Sequence, residues 1–367
     1  MDIRKIDKNF DISFSVPEDI EWISLEEIPF AVYGVTYSNE EGLYRRLPKE
    51  IAESINEGVA ELSKHTAGGR IRFVTDSPYL AVRVEEPFGI PCPHMTVAGE
   101  RGVSVFTDQQ FIRTLMPSYD DLVKADKRYG GEGKVFFGGV VRPFLSSQKT
   151  YKAELFLPLY SEVHSLYIGV KKGSILQECE GYKHKKPILF YGSSITQGAC
   201  ASKPGDDYIN RLSRMLDTDY INLGFSGSAM AEQSMAEYIA SINPSAFVLD
   251  YDHNAPTPEH LRKTHYPLYE TVRKSHPTTP IIFTTMPTIE NYEERPWFQA
   301  RRKEILESFS KMKALGDENV YFIDFYGCYG ALENGECGTV DNCHPNSLGF
   351  LRMAEKMYPL LDKLLND

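Results

Sequence analysis

Two stretches of the chain hold side chains suited to acyl transfer. Residues 187–198 read PILFYGSSITQG, an apolar run that stops at Gly192 and is followed at once by Ser193 and Ser194. Residues 341–346 read DNCHPN, which sets Asp341 three positions before His344. A serine hydroxyl is a weak nucleophile until a base takes its proton. A histidine serves as that base when a carboxylate holds its second ring nitrogen. Asp341 and His344 share one short loop, so the carboxylate can reach one ring nitrogen while the other faces a serine. Gly-Ser-Ser is also ordinary turn and helix-capping chemistry. The serines therefore gain a chemical meaning only if the fold brings the loop to them.

The elements that position these groups are legible in the second half of the chain. Apolar runs at 187–192, 219–224, 246–252, 280–286 and 320–325 alternate with helical stretches near 206–217, 228–241, 258–275, 295–315 and 346–365. Near-continuous apolar strands joined by helices imply a parallel sheet covered on both faces. Ligands of such sheets bind beyond the carboxyl ends of the strands. The first strand is followed there by Ser193 and Ser194, the second by GFSGS (224–228), the third by DHNA (252–255), and the last by the loop ending in DNCHPN. One rim then holds a serine, an imidazole, a carboxylate, glycine-bearing turns with free N–H groups, and an amide side chain. That is the inventory of serine-based acyl transfer.

The four blocks, in this order, resemble those of the SGNH hydrolases, also called GDSL esterases, over about 187–365. The resemblance makes Ser194 the nucleophile, with Ser193 where the family commonly has aspartate. It places the N–H groups of Ser194 and Gly227 and the side chain of Asn254 in an oxyanion hole, and Asp341 and His344 in the triad. Asp252 and Ala255 depart from the usual Gly-x-Asn-Asp block. The chain is thus expected to be an α/β protein whose residues 181–367 form a flavodoxin-like parallel-sheet hydrolase domain. No cofactor or metal is expected. The resemblance further implies a short-chain ester as substrate, an acetyl ester on a carbohydrate by analogy, with an acyltransferase or a non-catalytic carbohydrate binder as alternatives.

The first half reads differently. RIRFVT (70–75), LAVRVE (80–85), YKAELFL (151–157) and SLYIGV (165–170) set charged groups on one face and apolar groups on the other. Such alternation, separated by Gly, Pro, Asp and Ser clusters, implies antiparallel strands in a jelly-roll-like sandwich. The expected domain spans residues 1–180, with one helix over about 49–63. It resembles the sandwich that precedes some bacterial SGNH esterases. There GVSVF (102–106) stands for a Gly-x-Asp-Leu-Tyr stretch that has lost its aspartate. Tyr44, Arg45 and Arg46 either reach the active site across the interface or only pack.

Several residues carry two readings. His253 is a substrate contact or a hydrogen-bonded strand-end residue. Asp252 braces the Ser194 loop or binds a substrate hydroxyl. Tyr292, Arg295 and Trp297 form a wall for a sugar or acyl group, or the packed start of a helix. Arg301, Arg302 and Lys303 read as the solvated face of a helix. Cys328, Cys337, Cys343 and His344 lie close in sequence but lack a C-x2-C pair, so six cysteines over this length read as free thiols. The formal charge of −11 argues against a nucleic-acid partner. No run approaches the roughly 18 apolar residues of a membrane span, and the charged N-terminus has no apolar leader core. A cytoplasmic protein is expected.

Overall fold

A computed structural model describes residues 6–7, 15–27, 29–143, 150–289, 296–330 and 337–366. The second half is built on a five-stranded sheet. In chain order its strands are His184–Gly192, Thr218–Gly224, Ala246–Asp250, Ile281–Thr284 and Val320–Ile323. Across the sheet they lie second, first, third, fourth, fifth, and every pairing is parallel. This is the flavodoxin-like order, with its crevice where the strand order reverses between the first and third strands.

The apolar runs are continuous because both faces are covered. Ile188, Phe190, Val248 and Ile282 pack to one side with Phe350, Met353 and Met357 of the last helix, Ser347–Asn366. Leu189, Tyr191, Leu249 and Phe283 pack to the other with Met235, Leu261, Leu268 and Ile305. Adjacent residues of one strand thus enter different cores, which a period-2 side-chain pattern requires. Among the described residues no helix is long and apolar enough to cross a membrane.

The first half is an antiparallel sandwich. One sheet runs in the order Ile20–Ser24, Ser165–Lys171, Leu80–Pro87, Lys134–Val141. The other runs Leu176–Gln177, Arg70–Thr75, Tyr151–Phe156, Val103–Thr107, Gln110–Leu115, with Ala31–Tyr33 also paired to Arg70–Thr75. Ile71, Phe73, Val82, Val84, Val105, Leu155 and Ile168 fill the space between them.

One expectation needs correction. The helix expected over 49–63 is two, Lys49–Ile55 and Glu57–Leu62. Asn56 breaks them apart by taking an extended conformation, from which its side chain caps the second helix at Val59 N. The same side chain donates to Ser228 O, 3.0 Å away in the hydrolase half. The charged face of residues 70–75 turns toward the hydrolase half. Arg70 is wholly buried, lies 3.7 Å over the Tyr220 ring and pairs with Asp219. Arg72 is buried over the Tyr182 ring. The alternation marks a seam between the two halves, where cation–aromatic contact takes the place of water.

The core also holds a titratable group. His265, on the helix Pro258–Ser275, stacks near Tyr251 and Phe283, and its Nδ1 lies 2.9 Å from Ser308 Oγ. Burial lowers its pKa to about 3. The unfolded chain therefore binds this proton first as pH falls below about 6.5. Its contribution to stability is whole above that pH and is lost as pH falls toward 3. Between pH 7 and 5 this one group is expected to take about 2 kcal/mol from the unfolding free energy. Urea denaturation at both pH values should show a correspondingly flatter dependence for His265→Gln. An unchanged dependence would mean that the ring is not held neutral.

Candidate functional site

The strand His184–Gly192 ends where the chain must turn tightly against the third strand. A Cβ on Gly192 would lie 2.1 Å from Thr196 Oγ1 and 2.4 Å from Asp250 O, so only glycine permits the approach. Ser193 then caps the short helix Ser194–Gln197, its hydroxyl accepting from Ile195 N at 3.2 Å. Ser194 occupies the first helical position, where an amide N–H has no intrahelical acceptor.

What braces this turn is a carboxylate that sequence reasoning passed over. Asp250 Oδ2 accepts from Thr196 Oγ1 at 3.0 Å and Tyr208 OH at 2.9 Å. Its Oδ1 accepts from Thr284 Oγ1 at 2.9 Å, and its carbonyl from Ser193 N at 3.3 Å. Burial raises its pKa to about 6 against the pull of the three hydroxyl donors. One signal was available: an aspartate closing an apolar strand of a doubly covered sheet must find buried partners.

The loop before the last helix delivers the imidazole. Ser194 Oγ lies 3.0 Å from His344 Nε2, and His344 Nδ1 lies 2.7 Å from Asp341 Oδ2. Asp341 Oδ1 accepts the backbone N–H groups of His344 and Cys343 at 2.7 and 3.0 Å. Burial raises the Asp341 pKa, but these bonds outweigh it and hold the group below the ordinary carboxylate value. The loop is closed by Val340 N donating to His344 O and anchored by Tyr329 OH on Cys343 O. Ser194 is 8% exposed, and its bond to His344 is partly buried.

The two other expected donors stand on turns beside this pair. Asn254 ends the single helical turn Asp252–Asn254, and its Nδ2 donates to Phe225 O at 2.7 Å. That bond fixes the amide plane and leaves its second N–H. Gly227 has φ +66°, and a Cβ there would meet nothing within 4 Å. Its left-handed conformation favours glycine, and the space over it is open.

The remaining candidates divide. Asp252 is buried and does not face substrate: Arg301 Nε donates to its Oδ1 at 2.9 Å and Met286 N to its Oδ2 at 3.1 Å. Nor does it hold the Ser194 loop, which rests on Asp250. Arg301 is accordingly no solvated residue; it is buried and also donates to the carbonyls of Asp252 and Ala255. Arg302 pairs with Asp324, and Lys303 with Glu307 on the surface. His253 Nδ1 lies 3.8 Å from Cys343 Sγ, while its Nε2 is buried without a partner among the described residues. Burial and Arg301 lower its pKa to about 3, so the ring is neutral. Trp297 is exposed on the first turn of the helix Pro296–Ala314. Tyr292 and Arg295 lie outside the described residues. Tyr44 packs edge-on against Tyr37 inside the sandwich, and Arg45 bonds Glu41 and Ser63. Arg46 reaches the hydrolase half but ends on backbone carbonyls beneath the rim. All six cysteines are free, and among the described residues no group of three His, Cys, Asp or Glu side chains is placed to hold a metal ion.

Comparison with known proteins follows the same division of the chain. Residues 185–362 match the GDSL-like Lipase/Acylhydrolase family, and residues 20–176 match the GxDLY family, the N-terminus of SGNH-hydrolase-type esterases. Among solved structures the chain is similar to a putative GDSL-like lipase from Bacteroides ovatus, at 31% identity and TM-score 0.80, over 95% of this chain and 98% of that one. It also shares its fold with the salicylyl-acyltransferase SsfX3 of a tetracycline biosynthetic pathway, at 19% identity and TM-score 0.73, over 95% and 98%. A family two carbohydrate esterase from Clostridium thermocellum aligns at 14% identity and TM-score 0.58, over 82% and 93%. No curated protein matches the sequence.

Asp250 gives this site its test. Asp250→Ala leaves the hydroxyls of Thr196 and Tyr208 without this acceptor and Thr284 with only Leu249 O at 3.3 Å. The expected cost is about 3 kcal/mol of stability, the usual scale for orphaned buried donors, with a fall in turnover because Ser193 and Thr196 frame Ser194. Urea denaturation and ester hydrolysis on one preparation check both, and unchanged stability would remove Asp250 from its bracing role.

Proposed function

For a chain that belongs to the GDSL-like lipase/acylhydrolase, or SGNH, family, we propose a serine esterase in which Ser194, His344 and Asp341 act as the triad. The observation that carries the reading is the relay itself: hydroxyl to imidazole at 3.0 Å and imidazole to carboxylate at 2.7 Å, on the carboxyl rim of a parallel sheet. His344 Nε2 takes the Ser194 proton as the oxygen attacks the ester carbonyl. Asp341 keeps the ring oriented and stabilises the imidazolium. The N–H groups of Ser194 and Gly227 and the Asn254 amide receive the oxyanion. His344 then gives its proton to the departing alcohol, leaving an acyl-serine. Water attacks that ester, its proton passes to His344, and the acid leaves as Ser194 is reprotonated.

The substrate we infer is a short-chain ester, an acetyl group carried by a carbohydrate. The polar rim of Ser226, His253 and Asn254 supports it, as does the fold shared with family two carbohydrate esterases and with an acetyl xylan esterase from Butyrivibrio proteoclasticus. Tyr292 and Trp297 are the residues proposed to wall that substrate. Transfer of the acyl group to an alcohol instead of water uses the same intermediate, and the shared fold with an acyltransferase gives it a concrete precedent. Product analysis with an added acceptor alcohol separates the two.

Ser194→Ala is expected to abolish hydrolysis of an aryl acetate, while Ser193→Ala retains much of it; the reverse pattern would move the nucleophile. Asn254→Ala should cost about a hundredfold in kcat, the usual loss for one oxyanion donor, with KM little changed because the ground-state carbonyl carries less charge. A rate near wild type would take Asn254 out of the hole. Across an acyl series, rates should fall from acetyl to octanoyl, and a rising profile would point to a lipase.

A further inference from the structure

The turn that carries Gly227 is held within the hydrolase half by Phe225 N on Gly192 O and Ser226 N on Gln197 Oε1, and is gripped at both ends by the sandwich half. Arg46 Nη1 donates to Gly224 O at 2.6 Å and to Asn222 O at 3.2 Å, and its guanidinium lies 4.6 Å over the Phe225 ring. The other side of the same guanidinium is fixed in the sandwich half, Nε on His65 O at 2.8 Å and Nη2 on Leu62 O at 2.6 Å. Phe225 in turn supplies the carbonyl that orients Asn254. At the far end of the turn, Asn56 holds Ser228 O, and Gly58 packs so closely on Ser228 Oγ that a Cβ there would lie 2.0 Å from it.

The middle of the turn is fixed through Gln197. Its Nε2 faces two acceptors of the sandwich half, His65 Nδ1 at 3.3 Å and Leu159 O at 3.2 Å. A primary amide with both acceptors on its nitrogen side must present its oxygen the other way, and Gln197 Oε1 accepts Ser226 N at 3.1 Å. The arrangement needs a neutral His65, and burial with Arg46 nearby lowers its pKa to about 4. Tyr160, in the chain that leads out of the strand Tyr151–Phe156, donates to Ser194 O at 3.2 Å, and the Ser226 side chain faces the same phenol.

We propose that the sandwich half is a positioning element of the reaction: Arg46, His65 and Tyr160 set the donors of Ser194, Gly227 and Asn254 that receive the oxyanion. Each donor stands no more than two links from one of these residues. Gly227 has no side chain of its own to bond, so the direction of its N–H follows from what fixes Ser226 and Ser228 on either side. A displacement of an ångström in such a donor weakens transition-state binding and leaves ground-state binding nearly intact.

The inference rests on the function proposed above, and the tests are separable. Tyr160→Phe in the full chain removes one hydroxyl and keeps the ring. The expected result on an aryl acetate is a fall of about tenfold in kcat, KM within about twofold, an unchanged pH profile and an unchanged Tm. Tyr79→Phe removes a hydroxyl that bonds Asp19 within the sandwich and is expected to leave kcat as it was. Arg46→Met should lower kcat further; if that variant does not fold, Tyr160→Phe decides alone. A wild-type kcat for Tyr160→Phe overturns the proposal. So does a raised KM with kcat unchanged, which would make Tyr160 a substrate contact, or a loss that tracks Tm and recovers on cooling, which would make the seam structural only. If Ser194→Ala keeps its activity, the assignment of the site falls and this inference with it. If Ser194→Ala is dead and Tyr160→Phe is not impaired, only this inference falls.

Discussion

The carboxylate of Asp250 lies 3% exposed at the end of the third strand, between the nucleophile turn and the fourth strand, and takes three hydroxyl bonds there. Desolvation opposes its charge, and each hydroxyl returns part of what water would have supplied. The arrangement ties together parts distant in sequence: Thr196 from the turn, Tyr208 from the helix Tyr208–Leu216, and Thr284 from the fourth strand. Gly192 makes it possible, because the strand carrying Ser193 and Ser194 must come within contact of Asp250 O. A side chain at Gly192 would push the turn away and break both the carbonyl contact from Ser193 N and the bond from Thr196.

What was legible in the sequence was what is local or periodic. The five strands of the parallel sheet showed as apolar runs because both of their faces are dry. Asp341 and His344 showed because their geometry is made within one loop: the carboxylate reaches the ring and two backbone N–H groups within three residues. Asp250 did not show, since an acid at the end of an apolar run looks like the start of a loop. Asp252 drew attention in its place, yet its partner Arg301 stands 49 residues away. No spacing rule connects the two. Arg301, Arg302 and Lys303 looked like one solvated cluster. A helix divides three consecutive residues among different directions, and the structure sends the first into the core and the last to the surface.

The same limit explains the sandwich. Charge alternating with apolar residues at 70–75 correctly marked a strand, but a charged face is equally compatible with water and with a partner surface. Arg70 and Arg72 meet aromatic rings and carboxylates of the seam, where two structural halves share one polar layer. A cation stacked on a ring loses its water on burial, and the ring quadrupole offsets part of that cost. The break at Asn56 is partly local: asparagine is a favoured N-cap, Gly58 follows it, and the same side chain also reaches Ser228 O across the seam.

The two parts of the reactive centre thus differ in how they are made. The base and its carboxylate are assembled by one closed loop that needs little from the rest of the chain. The donors proposed for the oxyanion come from three separate strand ends, and a donor is useful only where its N–H points. Backbone turns containing glycine are free to rotate, so they must be fixed by neighbours. Arg46 suits that task because a guanidinium carries five donors in a rigid plane. Here it joins carbonyls of the sandwich half to carbonyls of the second strand. A lysine in its place would offer a point charge without the plane, and would leave the Phe225 carbonyl, and through it Asn254, to find their own orientation.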